Sequence, residues 1–485
     1  MSERPQRRQQ PRSGSADRRP PRIDPARRAA YDVAFAVETE DGYANLIIPG
    51  ILKQHRLTGR DAGFATELAY GALRGRGLYD AIIADAAKRH VSTLDAELAV
   101  ALRLGVHQAL AMRVPAHAAV SETVDLVRAV HGRGAGLANA VMRRVTERDL
   151  DAWLARVAPG MSRESLAIRH SHPAWVVGEL EHALRHDGRP GELTALLEAD
   201  NAPAAVTLVA RPGLVEREAL VLDAGGSPTV YSPLGVTLPG GAPGEIASVA
   251  DGTAAVQDEG SQLAALALVH ADAALTARAR PADAVTGSVI DPGERWLDMC
   301  AGPGGKAALL AAAAAEGMAT LDALELHDHR ADLVRRSLKA VPDAVATVHR
   351  ADARTWSPAE PYDRILLDAP CTGLGALRRR PEARWRRSID DLDDLVDLQH
   401  ALIAHAGSLL APGGVLAYVT CSPVLAETLD VVEGSGLVTL DTRVAVASAT
   451  GTEPADWGRG PHVQLWPHVH GTDAMFIQLL TRAHP

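Results

Sequence analysis

From Arg295 onward, short apolar segments alternate with stretches of helical spacing, and this alternation limits the possible folds more than any other feature of the chain. Strands are predicted at Arg295 to Cys300, Leu321 to Leu326, Ala344 to Val348, Arg364 to Asp368, Val415 to Thr420 and Met475 to Leu480. Helices are predicted between them, including the Ala-rich run after Lys306 and the stretch from Asp391 to Leu410. Strands separated by helices pair through crossovers, which predicts an open, doubly wound α/β sheet of Rossmann-like form. Ligands of such sheets sit beyond the carboxyl ends of the strands, so the residues just past each strand are the ones that carry chemistry.

The remainder divides into three further segments. Residues 1–25 hold Arg, Gln, Ser and five prolines with almost no apolar content, which predicts a disordered tail. Nine Arg against three acids give residues 1–28 a net +6 in a chain whose formal charge is -10. The balance hides a basic arm suited to sequence-independent attraction to phosphate. Residues 26–150 show apolar residues at helical spacing, as in Ala30, Val33, Ala34 and Val37, or Leu98, Leu102 and Val106, with breaks at Thr58-Gly59, Gly75 to Gly77, Pro115 and Gly132 to Gly134. An all-helical bundle is expected there. Residues 151–265 mix helical stretches around Trp175 to Leu184 and Leu193 to Leu197 with a β-like run, Ala205 to Val209, and read as a small α+β module. The catalytic segment is then 266–485, with a linker-like loop at roughly 276–292. No apolar stretch reaches the roughly 18 residues that span a bilayer, and the Arg-rich start lacks a signal-peptide core. The expectation is a cytoplasmic protein with no membrane partner, monomeric by default.

The densest signal is Leu297-Asp298-Met299-Cys300-Ala301-Gly302-Pro303-Gly304-Gly305-Lys306, a strand running through a glycine-rich turn into a helix. Glycine lets backbone approach a ligand closely. Glu325, twenty residues beyond Gly305, ends the next strand, where a carboxylate can accept bonds from both ribose hydroxyls of a nucleoside. Asp352, after the third strand, is placed for an adenine amino group. The turn is not a phosphate-cradling GxxxxGK[ST], so Lys306 is expected to meet a carboxylate of the ligand instead.

Three cysteines occur, Cys300, Cys371 and Cys421, too few and too scattered for a disulfide framework or a zinc site, and no metal is expected. Cys371 follows Asp368-Ala369-Pro370 at the end of the fourth strand, and Cys421 follows Thr420 at the end of the fifth. If those strands are parallel neighbours, the two thiols meet. Carbon 5 of cytosine is a weak nucleophile, and temporary addition of a thiolate at C6 activates it. Asp368 can hydrogen-bond the pyrimidine edge during that step. Spacing alone does not say which thiol attacks, and Cys300, within the first strand, is expected to be buried and inert. Arg378 to Arg387 places six Arg and Trp385 beside Cys371, a composition suited to phosphate contact and base stacking.

These motifs resemble the RsmB/Sun/Fmu family of ribosomal RNA cytosine-C5 methyltransferases. The resemblance runs from about residue 27 to the C-terminus and rests on LDMCAGPGGK (297–306), LELHDHR (324–330), RILLDAPCTGLGALRRRPEARW (364–385), YVTCSP (418–423), HGTDAMF (470–476) and VQDEGSQLAA (256–265). It implies a NusB-like RNA-binding domain at the start, Cys421 as nucleophile, Cys371 in release of the methylated base, and Asp368 in contact with cytosine and cofactor. It also implies S-adenosyl-L-methionine bound by Cys300, Ala301, Gly302, Pro303, Gly304, Gly305, Lys306, Glu325, Arg330, Asp352 and Asp368, with small-subunit ribosomal RNA as partner. The chain departs from the family pattern in AGPGGK for AAPGGK, in Glu325 for the more frequent Asp, and in Val209-Ala210 after Thr207-Leu208. A transfer RNA substrate and a non-catalytic RNA-binding assembly factor are the competing readings.

Overall fold

The computed structural model describes residues 23–40, 42–279 and 290–483. Residues 1–22 of the basic arm and 280–289 of the expected 276–292 loop fall outside the described residues; the tail ends where Asp24 caps helix Pro25–Thr39, and the loop begins only after helix Ala271–Ala279. Two compact units follow, Met1–Val157 and Ala158–Pro485.

In the first unit the expected breaks bound the helices. Thr58 precedes helix Gly59–Arg74, Gly75 separates it from Arg76–Ala87, and Pro115 opens Ala116–Val130. Helix Ala96–Leu110 is buried along Leu98 to Gln108, which makes it the hub of the bundle. The one cation on it, Arg103, is neutralised by Asp80 at 2.6 Å and Glu38 at 3.3 Å, because a buried charge is tolerated only when paired. The first helix, Pro25–Thr39, presents Ala30, Val33, Ala34 and Val37 to the interior, as their spacing requires.

The second unit begins with helices and then a four-stranded antiparallel sheet: β1 (Thr207–Ala210), β2 (Ser227–Pro228), β3 (Gly235–Thr237) and β4 (Ala254–Val256), in the order β2-β3-β1-β4. One face packs Leu208, Ala210, Leu220, Val236 and Ala254 together. The expected boundary at 265 falls inside helix Glu259–Val269, whose Leu263 to Val269 lie in the core of the large sheet.

That large sheet comprises β5 (Arg295–Asp298), β6 (Thr320–Glu325), β7 (Ala346–Arg350), β8 (Tyr362–Asp368), β9 (Leu410–Thr420), β10 (Val438–Thr439), β11 (Val463–Gln464) and β12 (Phe476–Thr481). Its order is β10-β12-β9-β8-β5-β6-β7, with β11 paired to β12. Strands β5 to β9 are mutually parallel, and β12 runs antiparallel against β9. Period-two alternation places Trp296, Leu366, Ala417 and Val419 on one face, with helices Glu259–Val269 and Gly305–Glu316. Leu297, Ile365, Leu367, Leu416 and Tyr418 face helix Ile389–Leu409 on the other. Both faces are covered, as a parallel sheet requires. Strand order reverses between β5 and β8, which opens a crevice at their carboxyl ends. Strand β5 stops at Asp298 rather than Cys300, because the Asp298 carboxylate accepts the Cys300 N–H at 3.3 Å and turns the chain.

Arg364, buried in β8, ties helix Glu259–Val269 to the sheet. Its guanidinium donates to the Leu268 and Val269 carbonyls at 3.0 and 2.8 Å and pairs with Glu294 at 2.7 Å and Asp272 at 2.8 Å. Removing one member of a buried pair strands the rest. Arg364→Ala is therefore expected to lower unfolding free energy by about 3–5 kcal/mol, read as a shifted urea midpoint in tryptophan fluorescence.

Candidate active site

Five strand ends converge on the crevice. Asp298 ends β5, Glu325 ends β6, Asp352 follows β7, Asp368 ends β8, and Cys421 follows β9. Parallel register sets Asp368 opposite Val419. The turns that follow bring Cys371 Sγ to 3.4 Å from Cys421 Sγ across fifty residues of sequence. The Gly375 N–H donates to the Cys421 carbonyl at 2.8 Å, and the Ala474 N–H donates to the Gly375 carbonyl at 2.9 Å, so the segment after Cys371 is seated between the two.

Electrostatics separates the two thiols. Cys421 is held below the ordinary cysteine value, first by its hydrogen bond with Cys371, against burial and the Asp368 charge, with Lys306 and Arg380 helping. Cys371 is pushed well up by the same hydrogen bond, by burial, and by the charges of Cys421 and Glu427. Cys300 is also pushed up, by burial and by Asp298, Asp368 and Glu325. A lowered thiol holds more of the thiolate form, which is the nucleophilic one.

Lys306 donates to Asp368 at 2.7 Å. Burial opposes its charge, but the Asp368 carboxylate outweighs that and holds the ammonium above its usual value. Asp298 is fully buried, and its Oδ2 has no hydrogen-bond partner among the described residues. Burial, then repulsion from Asp368, lifts it to about 7. Glu325 is buried; it accepts the His327 N–H at 3.0 Å and lies 3.4 Å from Arg330, which also donates to the Gly302 carbonyl at 2.7 Å. Asp352 is held by Arg354 at 2.6 Å.

The turn Ala301 to Gly305 requires two of its glycines, Gly302 and Gly304. A Cβ on Gly302 would sit 2.1 Å from Glu325 Oε2, and Gly304 has φ +112° with Ser337 and Val334 close behind it. An open backbone, an orphan buried carboxylate oxygen and two further acids at strand ends suit a nucleoside that carries an amino acid. S-adenosyl-L-methionine has that donor and acceptor pattern, and the residues fit it.

The arginine-rich segment corrects one expectation. Arg384 is completely buried, donating to the Ser171 carbonyl at 3.1 Å and Asn201 Oδ1 at 2.8 Å. Arg379 pairs with Asp473 through Nε at 3.0 Å, and Arg378 lies 3.9 Å from Asp258. Its core is thus a structural clamp rather than a phosphate-facing surface. Sequence reasoning assigned no role to Asp258, Asp298, Asp473 or Glu427. Asp298 sits at a strand end and carried the same signal as Glu325. The others gave none, because their partners lie far away in sequence.

Residues 289–481 match the family model described as 16S rRNA methyltransferase RsmB/F, and residues 24–147 match that of the NusB family. The chain is 46% identical to Rv1407 of Mycobacterium tuberculosis over 97% of this chain and 99% of that protein. It is 33% identical to ribosomal RNA small subunit methyltransferase B of Pseudomonas putida over 84% of this chain and 88% of that one. Among solved structures, the crystal structure of PH0851 superposes with a TM-score of 0.76 at 21% identity, covering 95% of this chain and 99% of that one.

The glycine turn yields a direct test. Gly302→Ala is expected to displace Glu325 and weaken S-adenosyl-L-methionine binding about tenfold or more, about 1.4 kcal/mol, measured by titration calorimetry.

Proposed function

We propose that this chain, which belongs to the 16S rRNA methyltransferase family RsmB/F, methylates C5 of a cytosine in small-subunit ribosomal RNA in the cytoplasm. The observation that carries the reading is the 3.4 Å contact between Cys371 and Cys421. A metal-free methyl transfer to an oxygen or an exocyclic nitrogen has no use for two thiols in contact. Methylation of a pyrimidine carbon does, since one sulfur must add to C6 and later leave.

S-adenosyl-L-methionine supplies an electrophilic methyl group when bound, and the turn 300–306 with Glu325, Arg330, Asp352 and Asp368 would hold it. Cys421, the thiol of lowered pKa, adds to C6 of the cytosine and makes C5 nucleophilic. Asp368, steadied by Lys306, is positioned to hydrogen-bond the polar edge of the ring as charge shifts toward N3. After C5 has taken the methyl group its proton passes to a solvent base, and the C–H electron pair re-forms the C5–C6 double bond. The C–S bond breaks as it forms, and Cys371, kept as a neutral thiol beside Cys421, can return a proton to the departing sulfur. The NusB-type unit supports an RNA substrate.

Cys421→Ala is expected to remove product and any covalent RNA adduct, with the rate falling on the order of a thousandfold or more. Cys371→Ala is expected to accumulate an RNA–protein adduct visible on a denaturing gel. An active Cys421→Ala enzyme sinks the assignment. Bisulfite sequencing of RNA from cells with and without the gene identifies the base, and separates ribosomal from transfer RNA.

The lowered Cys421 value also fixes the pH response. Thiolate is the attacking form, so the single-turnover rate should climb with pH and level off below the ordinary cysteine pKa of about 8.5. A rate still climbing above that value would mean the thiol is not activated.

A further inference from the structure

We propose that Glu427 is a positioning residue that locks the two cysteine turns together and favours Cys421 over Cys371 as the attacking sulfur. The inference rests on the covalent reading above. Glu427 lies in the short helical turn Leu425–Glu427 that follows β9, and its side chain is fully buried. Among the described residues no cation lies within ion-pair distance of it. A desolvated carboxyl group without a countercharge costs several kcal/mol, so its neighbours show what it serves.

Those neighbours are the residues that flank both cysteines. Glu427 Oε1 accepts the Thr372 N–H at 2.7 Å, and Oε2 accepts the Thr372 hydroxyl at 2.5 Å. The Thr372 hydroxyl has one proton, given to Glu427, and so its oxygen is left to accept from Ser422 Oγ at 3.1 Å. Gln399 Nε2 donates both to Glu427 Oε1 at 3.2 Å and to the Pro370 carbonyl at 2.8 Å. Tyr418, on β9, anchors the Glu427 backbone carbonyl at 2.8 Å. Pro370 and Thr372 bracket Cys371, and Ser422 follows Cys421. One acidic group therefore links the two turns.

The same placement sorts the sulfurs. Glu427 and Tyr418 face Cys371, and Glu427 occupies the Thr372 N–H and O–H donors that could otherwise stabilise a thiolate there. Lys306, Arg380, Arg379 and Asp368 face Cys421. The hydrogen bond with Cys421 and burial keep the proton on Cys371, and the Glu427 charge adds to them, so that Cys371 donates to Cys421 and stays in reserve for the end of the reaction. A glutamine would satisfy most of the hydrogen bonds without supplying that charge.

The test uses the full chain, limiting iodoacetamide and peptide mass spectrometry, without RNA or methyl donor. Wild-type protein is expected to be labelled at Cys421 first. Glu427→Gln should lower the Cys421 to Cys371 labelling ratio about tenfold, as one unit of relative pKa requires, and reduce kcat with KM for RNA unchanged. Labelling of Cys371 first in the wild type, or an unaltered ratio in a folded Glu427→Gln protein, overturns the proposal. Thr372→Val keeps the charge and cuts the hydroxyl link, so it should retain Cys421-first labelling while kcat falls. A wild-type kcat in Thr372→Val overturns the positioning role, and this variant decides the matter if Glu427→Gln does not fold. Because labelling is read without RNA, a failure to find 5-methylcytosine would sink the reading of the reaction separately.

Discussion

Parallel pairing of β8 with β9 is the constraint on which the reaction centre depends. The ladder continues one step past the strand, with the Ala369 N–H donating to the Val419 carbonyl at 2.9 Å, and only then do the chains turn. A one-residue slip would exchange the faces of the sheet, and a two-residue slip would move one sulfur by roughly 7 Å along the strand. Neither is open to this sequence. Ile365 and Leu367 share one core with Leu416 and Tyr418, while Leu366, Ala417 and Val419 share the other. The hydrophobic layers thus set the distance between two thiols at the edge of the sheet, with Cys421 packed against one of those layers.

Charge at the site is unevenly distributed, and the imbalance has a direction. Asp298, Glu325 and Asp368 cluster around the glycine turn, with Lys306 committed to Asp368 and Arg330 close to Glu325. Asp298 has no ion-pair partner among the described residues, and burial lifts it to about 7. A site with surplus buried carboxylate favours a ligand that brings positive charge and N–H donors, and disfavours phosphate. That preference agrees with a turn whose sequence is not a phosphate cradle.

The doubly wound sheet, the glycine turn and the meeting of the thiols were legible in the sequence, because each rests on local periodicity or on residues at strand ends. Arg384 was not. Its composition-level reading as a phosphate contact failed because the groups that engage it, at Ser171 and Asn201, lie about two hundred residues earlier. Glu427 was hidden for a related reason: an isolated acid between Ala426 and Thr428 reads as surface, and only the fold turns it inward. Asp298 could have been found, since it ends a strand in the same way as Glu325. Where β5 stops was misjudged because an apolar Met299 and Cys300 prolong the strand pattern, while the Asp298 side chain ends it.

The cysteine loop is held from both sides, and this bears on how catalysis can work. Glu427 and Gln399 grip Pro370 and Thr372 from one side, and Ala474 grips Gly375 from the other, so closely that a Cβ on Gly375 would lie 2.0 Å from the Ala474 carbonyl oxygen. Asp473, next in line, ties down Arg379 and receives support from Asp258, whose carboxylate accepts the Asp473 N–H at 3.2 Å. Sulfur positions fixed by so many distant segments cannot depend on the substrate for assembly. The ordering cost is met during folding rather than in the transition state. For the reaction proposed above, binding energy from RNA is then left for the one task the protein cannot complete in advance, drawing the target base out of its stack and into the site.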